Sequence, residues 1–132
     1  MKKVNLFFIL LAVIFISTAI SPNDELSLVN DRQDKIELPD NVKAIVENKC
    51  MGCHKPDARN EKAREKLQWV KVPDMNLEEQ EHFIAEMFEV LEEGKMPPAR
   101  MVERFPERKL TDEETKILLT WVEAEEKRLK GQ

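Results

Sequence analysis

The feature that most constrains this chain is the pentapeptide Cys50-Met51-Gly52-Cys53-His54. It holds both cysteines and one of the two histidines in 132 residues. A chain of this length forms one domain with a modest core, and small domains often need a staple or a filler. Two cysteines allow one disulfide at most, and with no Tyr and only two Trp the aromatic supply is thin. A large flat cofactor is one way to complete such a core.

The C-x-x-C-H spacing suits one cofactor chemistry well. Two thiols separated by two residues reach the two vinyl groups along one edge of a haem, and each adds across a vinyl to form a thioether. The histidine that follows falls under the iron and donates a ring nitrogen as an axial ligand. Gly52, which has no Cβ, eases a tight backbone path. The expectation is one covalent haem c with its iron, attached through Cys50 and Cys53 and ligated by His54. Three other readings stand beside it. A redox dithiol belongs next to a βαβ pattern, which is missing here. A zinc site of Cys50, Cys53, His54 and His82 is strained, because Cys and His adjacent in sequence fit a tetrahedron poorly. A plain disulfide is the third.

The N-terminus agrees with haem attachment outside the cytoplasm. Met1-Lys2-Lys3 is a short basic start, Val4 to Ile16 is almost unbroken apolar sequence, and Ser17-Thr18-Ala19-Ile20-Ser21 supplies small residues. That is the order of a secretory signal peptide over residues 1–21, with cleavage expected after Ser21. The alternative is a retained anchor facing the periplasm, for which the stretch is short against the ~20 residues a bilayer needs. No Cys near its end supports a lipoprotein signal. A periplasmic or otherwise exported location is expected, with the c-type haem maturation machinery as one partner. Loss of Lys2 and Lys3 with the leader takes the net charge from −5 to −7. That acidity argues against nucleic acid and against docking on anionic lipid, and it permits steering toward a basic redox partner protein.

Residues 22–38 read as a polar lead-in, and residues 39–132 as the domain. Asp40 is a candidate cap for a helix from Asn41 or Val42, in which Val42, Ile45, Val46 and Cys50 form one apolar stripe. Asn60 to Lys71 predicts a short charge-rich helix with Ala63, Leu67 and Val70 inward, broken at Val72-Pro73-Asp74. Asn76 with Glu79 resembles a capping box and opens a helix from Leu77 to about Glu93, striped by Ile84, Met87, Phe88 and Leu91 and closed by Gly94. Lys95-Met96-Pro97-Pro98 follows, a stiff extended loop. Thr111 with Glu114 is a second capping box, for a helix from Asp112 to about Lys130 with Ile117, Leu118, Trp121 and Val122 inward. No strand pattern or repeat interrupts this order, so the fold class is all-α.

The second axial position has five candidates: Met75, Met87, Met96, Met101 and His82. Met87 fits the core stripe. Met75 and Met101 lack a rigid local frame, whereas Met96 has one in its prolines. His82 sits among Glu78, Glu79, Glu81 and Glu86, as a surface histidine does. Met96 reads equally well as a loop methionine packed on the domain, so the residues alone leave this position open.

The order of helix, C-x-x-C-H, intervening helices, a Met in a Pro-containing loop and a final helix with an aromatic resembles class I c-type cytochromes. Glu92-Glu93-Gly94-Lys95-Met96-Pro97-Pro98, followed by Leu110-Thr111-Asp112-Glu113-Glu114 and Trp121, resembles more narrowly a bacterial haem-binding domain family of small exported cytochromes. The likeness spans roughly residues 40–125. It implies a cytochrome c-like fold of three to four helices around one covalently bound haem, with the first and last helices crossing. Val42, Ile45 and Val46 would then meet Ile117, Leu118, Trp121 and Val122, with Trp121 packing at that crossing. The resemblance also implies His54 and Met96 as axial ligands. The chain departs from the family between His54 and Asn76, where a charge-rich segment with only Trp69 replaces an aromatic-rich one. Trp69 is then either a packing residue or a hydrogen-bond donor to a haem propionate.

The function so implied is one-electron transfer, not enzymatic turnover. Its rival is a haem sensor or peroxidase-like protein with an open or His82-ligated distal position, although no distal His-Arg pair is evident. The haem reading also predicts a hollow between the Cys50–His54 segment and the Met96 loop.

Overall fold

Helix α1, Asp40–Ile45, opens on Pro39 and not on an Asp40 cap. The Pro39 carbonyl accepts from Lys43 N at 2.8 Å, so Asp40 lies inside the first turn, where its charge faces the positive end of the helix. The computed structural model describes residues 35–131. The leader and most of the lead-in lie outside the described residues. The end of the lead-in is not a free tether: Ile36 is buried, and the Glu37 carbonyl accepts from Trp121 Nε1 at 3.0 Å.

Val46–Cys50 continues α1 as a π turn, closed by Met51 N on the Val46 carbonyl at 2.9 Å. Val42, Ile45 and Val46 are buried as the spacing predicts. The wider turn adds a residue before Cys50, which is half-buried, packing on the core while lining a cleft described below.

Helix α2, Glu61–Lys66, is shorter than the sequence suggests. Asn60 caps it by accepting from Ala63 N at 3.2 Å. Leu67 and Gln68 are extended, and Trp69–Asp74 is a 3₁₀ turn that includes Pro73. A period of three turns Trp69 and Val72 inward and leaves Val70 49% exposed, correcting the inward placement of Val70.

Helix α3, Leu77–Glu92, and helix α5, Asp112–Lys130, both begin with the expected capping boxes. Asn76 Oδ1 accepts from Glu79 N at 3.0 Å while Glu79 Oε2 accepts from Asn76 N at 2.9 Å. The Thr111–Glu114 pair does the same at 3.1 and 2.8 Å. Gly94, at φ 63°, ends α3 in the left-handed region that glycine tolerates. Gly94 N bonds the Leu91 carbonyl and Lys95 N the Val90 carbonyl, which together make a Schellman ending. Helix α4, Ala99–Arg104, is one the sequence did not announce.

All regular structure among the described residues is helical. Helix α5 packs on both α1 and α3. Val42, Ile45 and Val46 share one core with Leu118, Trp121 and Val122, so the first and last helices meet as expected. Trp69 and Phe83 stack edge to face at 5.5 Å, and Trp121 lies 6.4 Å from each. None of the helices described is long and apolar enough to cross a membrane.

Candidate functional site

A cleft of about 460 Å³ opens where the hollow was expected. Cys50, Cys53 and His54 line it from one side of the sequence, and Met96, Pro97 and Pro98 from the other. All four residues singled out by motif and resemblance therefore border one space. Trp69, Phe83, Met87 and Leu118 give it apolar walls joined to the core. Apolar walls with a few convergent polar groups are what a planar, mostly apolar ligand requires.

Backbone geometry fixes His54. Its N–H donates to the Cys50 carbonyl at 3.0 Å, and its carbonyl accepts from Trp69 N at 3.1 Å. Nδ1 lies 3.0 Å from the Ala63 carbonyl and 3.2 Å from the Leu67 carbonyl. Both neighbours only accept, so the proton sits on Nδ1 and the lone pair on Nε2. Ala63 lies in the last turns of α2, where its carbonyl also accepts from Leu67 N at 3.0 Å, and Leu67 is the extended residue that follows the helix. A histidine held through one nitrogen by carbonyls presents the other to a metal in a fixed direction.

Cys50 and Cys53 are free thiols, both half-buried. Burial, and next the neighbouring Cys53, pushes the Cys50 thiol up to about 12. A reactive dithiol or a zinc thiolate works through a depressed pKa, so the environment of Cys50 suits neither. Nor do any three His, Cys, Asp or Glu among the described residues group as a metal site.

Met75, Met87 and Met101 line the same cleft as Met96. Met87 is a buried core residue and Met96 is 39% exposed. Met101 does have a local frame, in α4, contrary to expectation: Met101 N donates to the Pro98 carbonyl at 2.8 Å. The two prolines that stiffen the loop also start this helix, because Pro98 occupies the capping position that needs no amide. His82 borders the cleft with an exposed side chain, Nε2 lying 3.4 Å from Glu86 Oε1.

Trp69 is 4% exposed, yet its indole Nε1 is buried without a hydrogen-bond partner. A buried donor left unpaired costs about 1–3 kcal/mol. Lys49, Lys66 and Arg108 also line the cleft. An apolar space bordered by thiols, an oriented imidazole and cations fits a haem, which is apolar and planar with two carboxylates.

Two residues that sequence reasoning missed hold the Cys50–His54 segment from outside. Lys49 Nζ donates to the carbonyls of Glu107 at 2.7 Å and Lys109 at 3.0 Å, and lies 3.5 Å from Glu114 Oε2. Arg108 stacks over Phe105 at 4.9 Å and places Nη1 3.7 Å from Cys53 Sγ. A Cβ at position 52 would lie 2.7 Å from that Nη1. Of the described glycines only Gly94 has positive φ, so Gly52 is explained by the approach of Arg108 and not by a strained backbone. No spacing rule joins positions 55 residues apart, so this pair carries no signal in the sequence.

Together these features define a class: an all-helical protein whose apolar cleft carries a C-x-x-C-H segment on its wall. Residues 57–124, just over half of the chain, match the family described as the haem-binding domain, and the chain belongs to that family. The match begins just after His54 and spans α2 through most of α5, including the Met96 loop. Comparison with curated proteins and with solved structures gives no match.

Proposed function

We propose that this protein is an exported monohaem c-type cytochrome that carries single electrons between partner proteins. The observation that carries this reading is the placement of His54, with Nδ1 at 3.0 and 3.2 Å from two carbonyl oxygens, which leaves Nε2 as the ligand atom beside two thiols and an apolar cleft. Cys50 and Cys53 would anchor the haem by thioethers, and His54 and Met96 would hold its iron. When bound, the haem supplies one-electron exchange at its iron. The chain's own residues orient the imidazole and wall off water with Trp69, Phe83 and Leu118. Two protein ligands leave no open coordination position, which favours electron carriage over turnover.

Helix α4 supports a second assignment for the distal ligand, because it frames Met101 on the same cleft. Met96→Ala and Met101→Ala separate the two.

The test is the intact mass and visible spectrum of the chain secreted alongside a c-type maturation system. A mass gain of one haem, a reduced α band of c-type and the weak ferric band of a methionine–iron bond are expected. Covalent haem without that band would move the reading toward an open or His82-ligated iron, the setting of a sensor or peroxidase-like protein. No haem would overturn it and return weight to a disulfide or a bound metal at Cys50 and Cys53.

A further inference from the structure

Arg108 is held in place from several directions. Its guanidinium lies over the Phe105 ring at 4.9 Å, against the bare α-carbon of Gly52, and 3.7 Å from Cys53 Sγ. The segment that carries it is tied to the end of the first helical run by Lys49, which bonds the carbonyls on either side of Arg108. Lys49 has a counter-charge in Glu114. Arg108 forms no ion pair among the described residues, and it is half-buried. The result is a half-buried positive charge, with no protein counter-charge among the described residues, beside one attachment sulfur.

We propose that Arg108 is a positioning residue that sets the reduction potential of this site, by fixing a positive charge against Cys53, and that Gly52 keeps the space it occupies. The inference rests on the haem reading above. Reduction lowers the charge at the iron by one, so a nearby fixed cation favours the reduced form and raises the potential. A guanidinium suits the task because it cannot deprotonate and its flat face stacks on Phe105. Arg104 provides an internal comparison: it stacks on the same ring at 5.4 Å, is exposed, and has no contact with the attachment segment among those described.

The experiment is redox titration of the full haem-loaded chain, with intact mass recorded for every variant. Arg108→Gln is expected to lower the midpoint potential, and Arg108→Lys to keep most of the wild-type value. Gly52→Ala removes no charge, but its new methyl must push the guanidinium aside. It is expected to lower the potential by a smaller step. The double variant Gly52→Ala/Arg108→Gln should match Arg108→Gln alone, since the methyl then has no cation to displace. Arg104→Gln should shift the potential less than Arg108→Gln. Equal potentials for wild type and Arg108→Gln would overturn the proposal, as would additive shifts in the double variant or equal shifts for Arg104→Gln and Arg108→Gln. If Arg108→Gln fails to take up haem, Gly52→Ala and Arg108→Lys decide: an unshifted Gly52→Ala overturns the proposal, and a lowered one with Arg108→Lys near wild type supports it. Covalent haem with insensitive potentials defeats this inference alone, whereas a wild-type chain without haem defeats the cytochrome reading as well.

Discussion

Asn60→Ala tests whether α2 exists to orient His54. The helix has six residues and buries none of them, so little packing holds it together. Its one side-chain cap is Asn60 Oδ1 on Ala63 N at 3.2 Å. Removing an Asn cap costs about 1 kcal/mol, which is a factor of about five in a local opening equilibrium. Amide exchange at Ala63, Arg64 and Leu67 in the haem-loaded protein should therefore quicken about fivefold. Exchange in the buried stretch of α5 around Leu118 should hold.

The consequence for the site has a definite sign. The Ala63 and Leu67 carbonyls accept from His54 Nδ1, and such bonds raise the basicity of the other ring nitrogen. A frayed α2 weakens them, so Nε2 donates less to the iron and the oxidised form loses support. The midpoint potential should rise, and the His54 Nδ1–H should exchange faster by NMR. This direction is opposite to that expected for Arg108→Gln, so a general loosening of the fold cannot explain both. Faster exchange in α2 with an unchanged potential and an unchanged His54 Nδ1–H would refute the link between this helix and the ligand.

Other outcomes follow from single side chains. Met96→Ala should keep the covalent haem by mass but let the reduced protein bind CO rapidly; an unchanged spectrum and CO reactivity would transfer the ligand role to Met101. Leu118→Ala removes a side chain 1% exposed where α1, α3 and the cleft meet α5, and should cost about 2–5 kcal/mol in denaturant unfolding. Thr111→Ala breaks the bond from Glu114 N and should cost about 1 kcal/mol on the same scale, with no change in the haem spectrum.

Much of this architecture was legible because it is local. The two capping boxes, the stripe of α3 and the glycine that ends it are each determined within a few residues, and each appears at its expected position. Short irregular elements were not legible. Nothing in the apolar spacing separates the 3₁₀ turn at Trp69 from a continued α-helix, although that difference decides whether Val70 or Trp69 faces inward. Helix α4 has no apolar stripe and was hidden behind two prolines that read as loop. The π turn before Cys50 and the packing of Ile36 depend on tertiary contacts and carry no periodic signal. The same limit applied at the site. Cys50, Cys53 and His54 announce themselves as a string, but the Arg108 contact is made across the fold.

The segment between His54 and Asn76 also explains why a departure in composition need not disturb a site. Its charged side chains differ from the aromatic-rich stretch that the family resemblance led us to expect. What this segment gives His54 is backbone: the Ala63 carbonyl inside α2 and the Leu67 carbonyl just past its end, placed by where the helix stops and not by which side chains it bears. Only Asn60, which starts the helix, and the extended turn at Leu67, which stops it, constrain that arrangement. Trp69 supplies an apolar wall of the cleft, and Lys66 a cation at its border. The remaining charges on α2 are exposed or half-exposed and answer to solvent and to whatever partner approaches. Substitutions at Glu61, Lys62 or Glu65 should therefore alter encounter rates with a charged partner, and their salt dependence, while the potential set by His54 stays where it is.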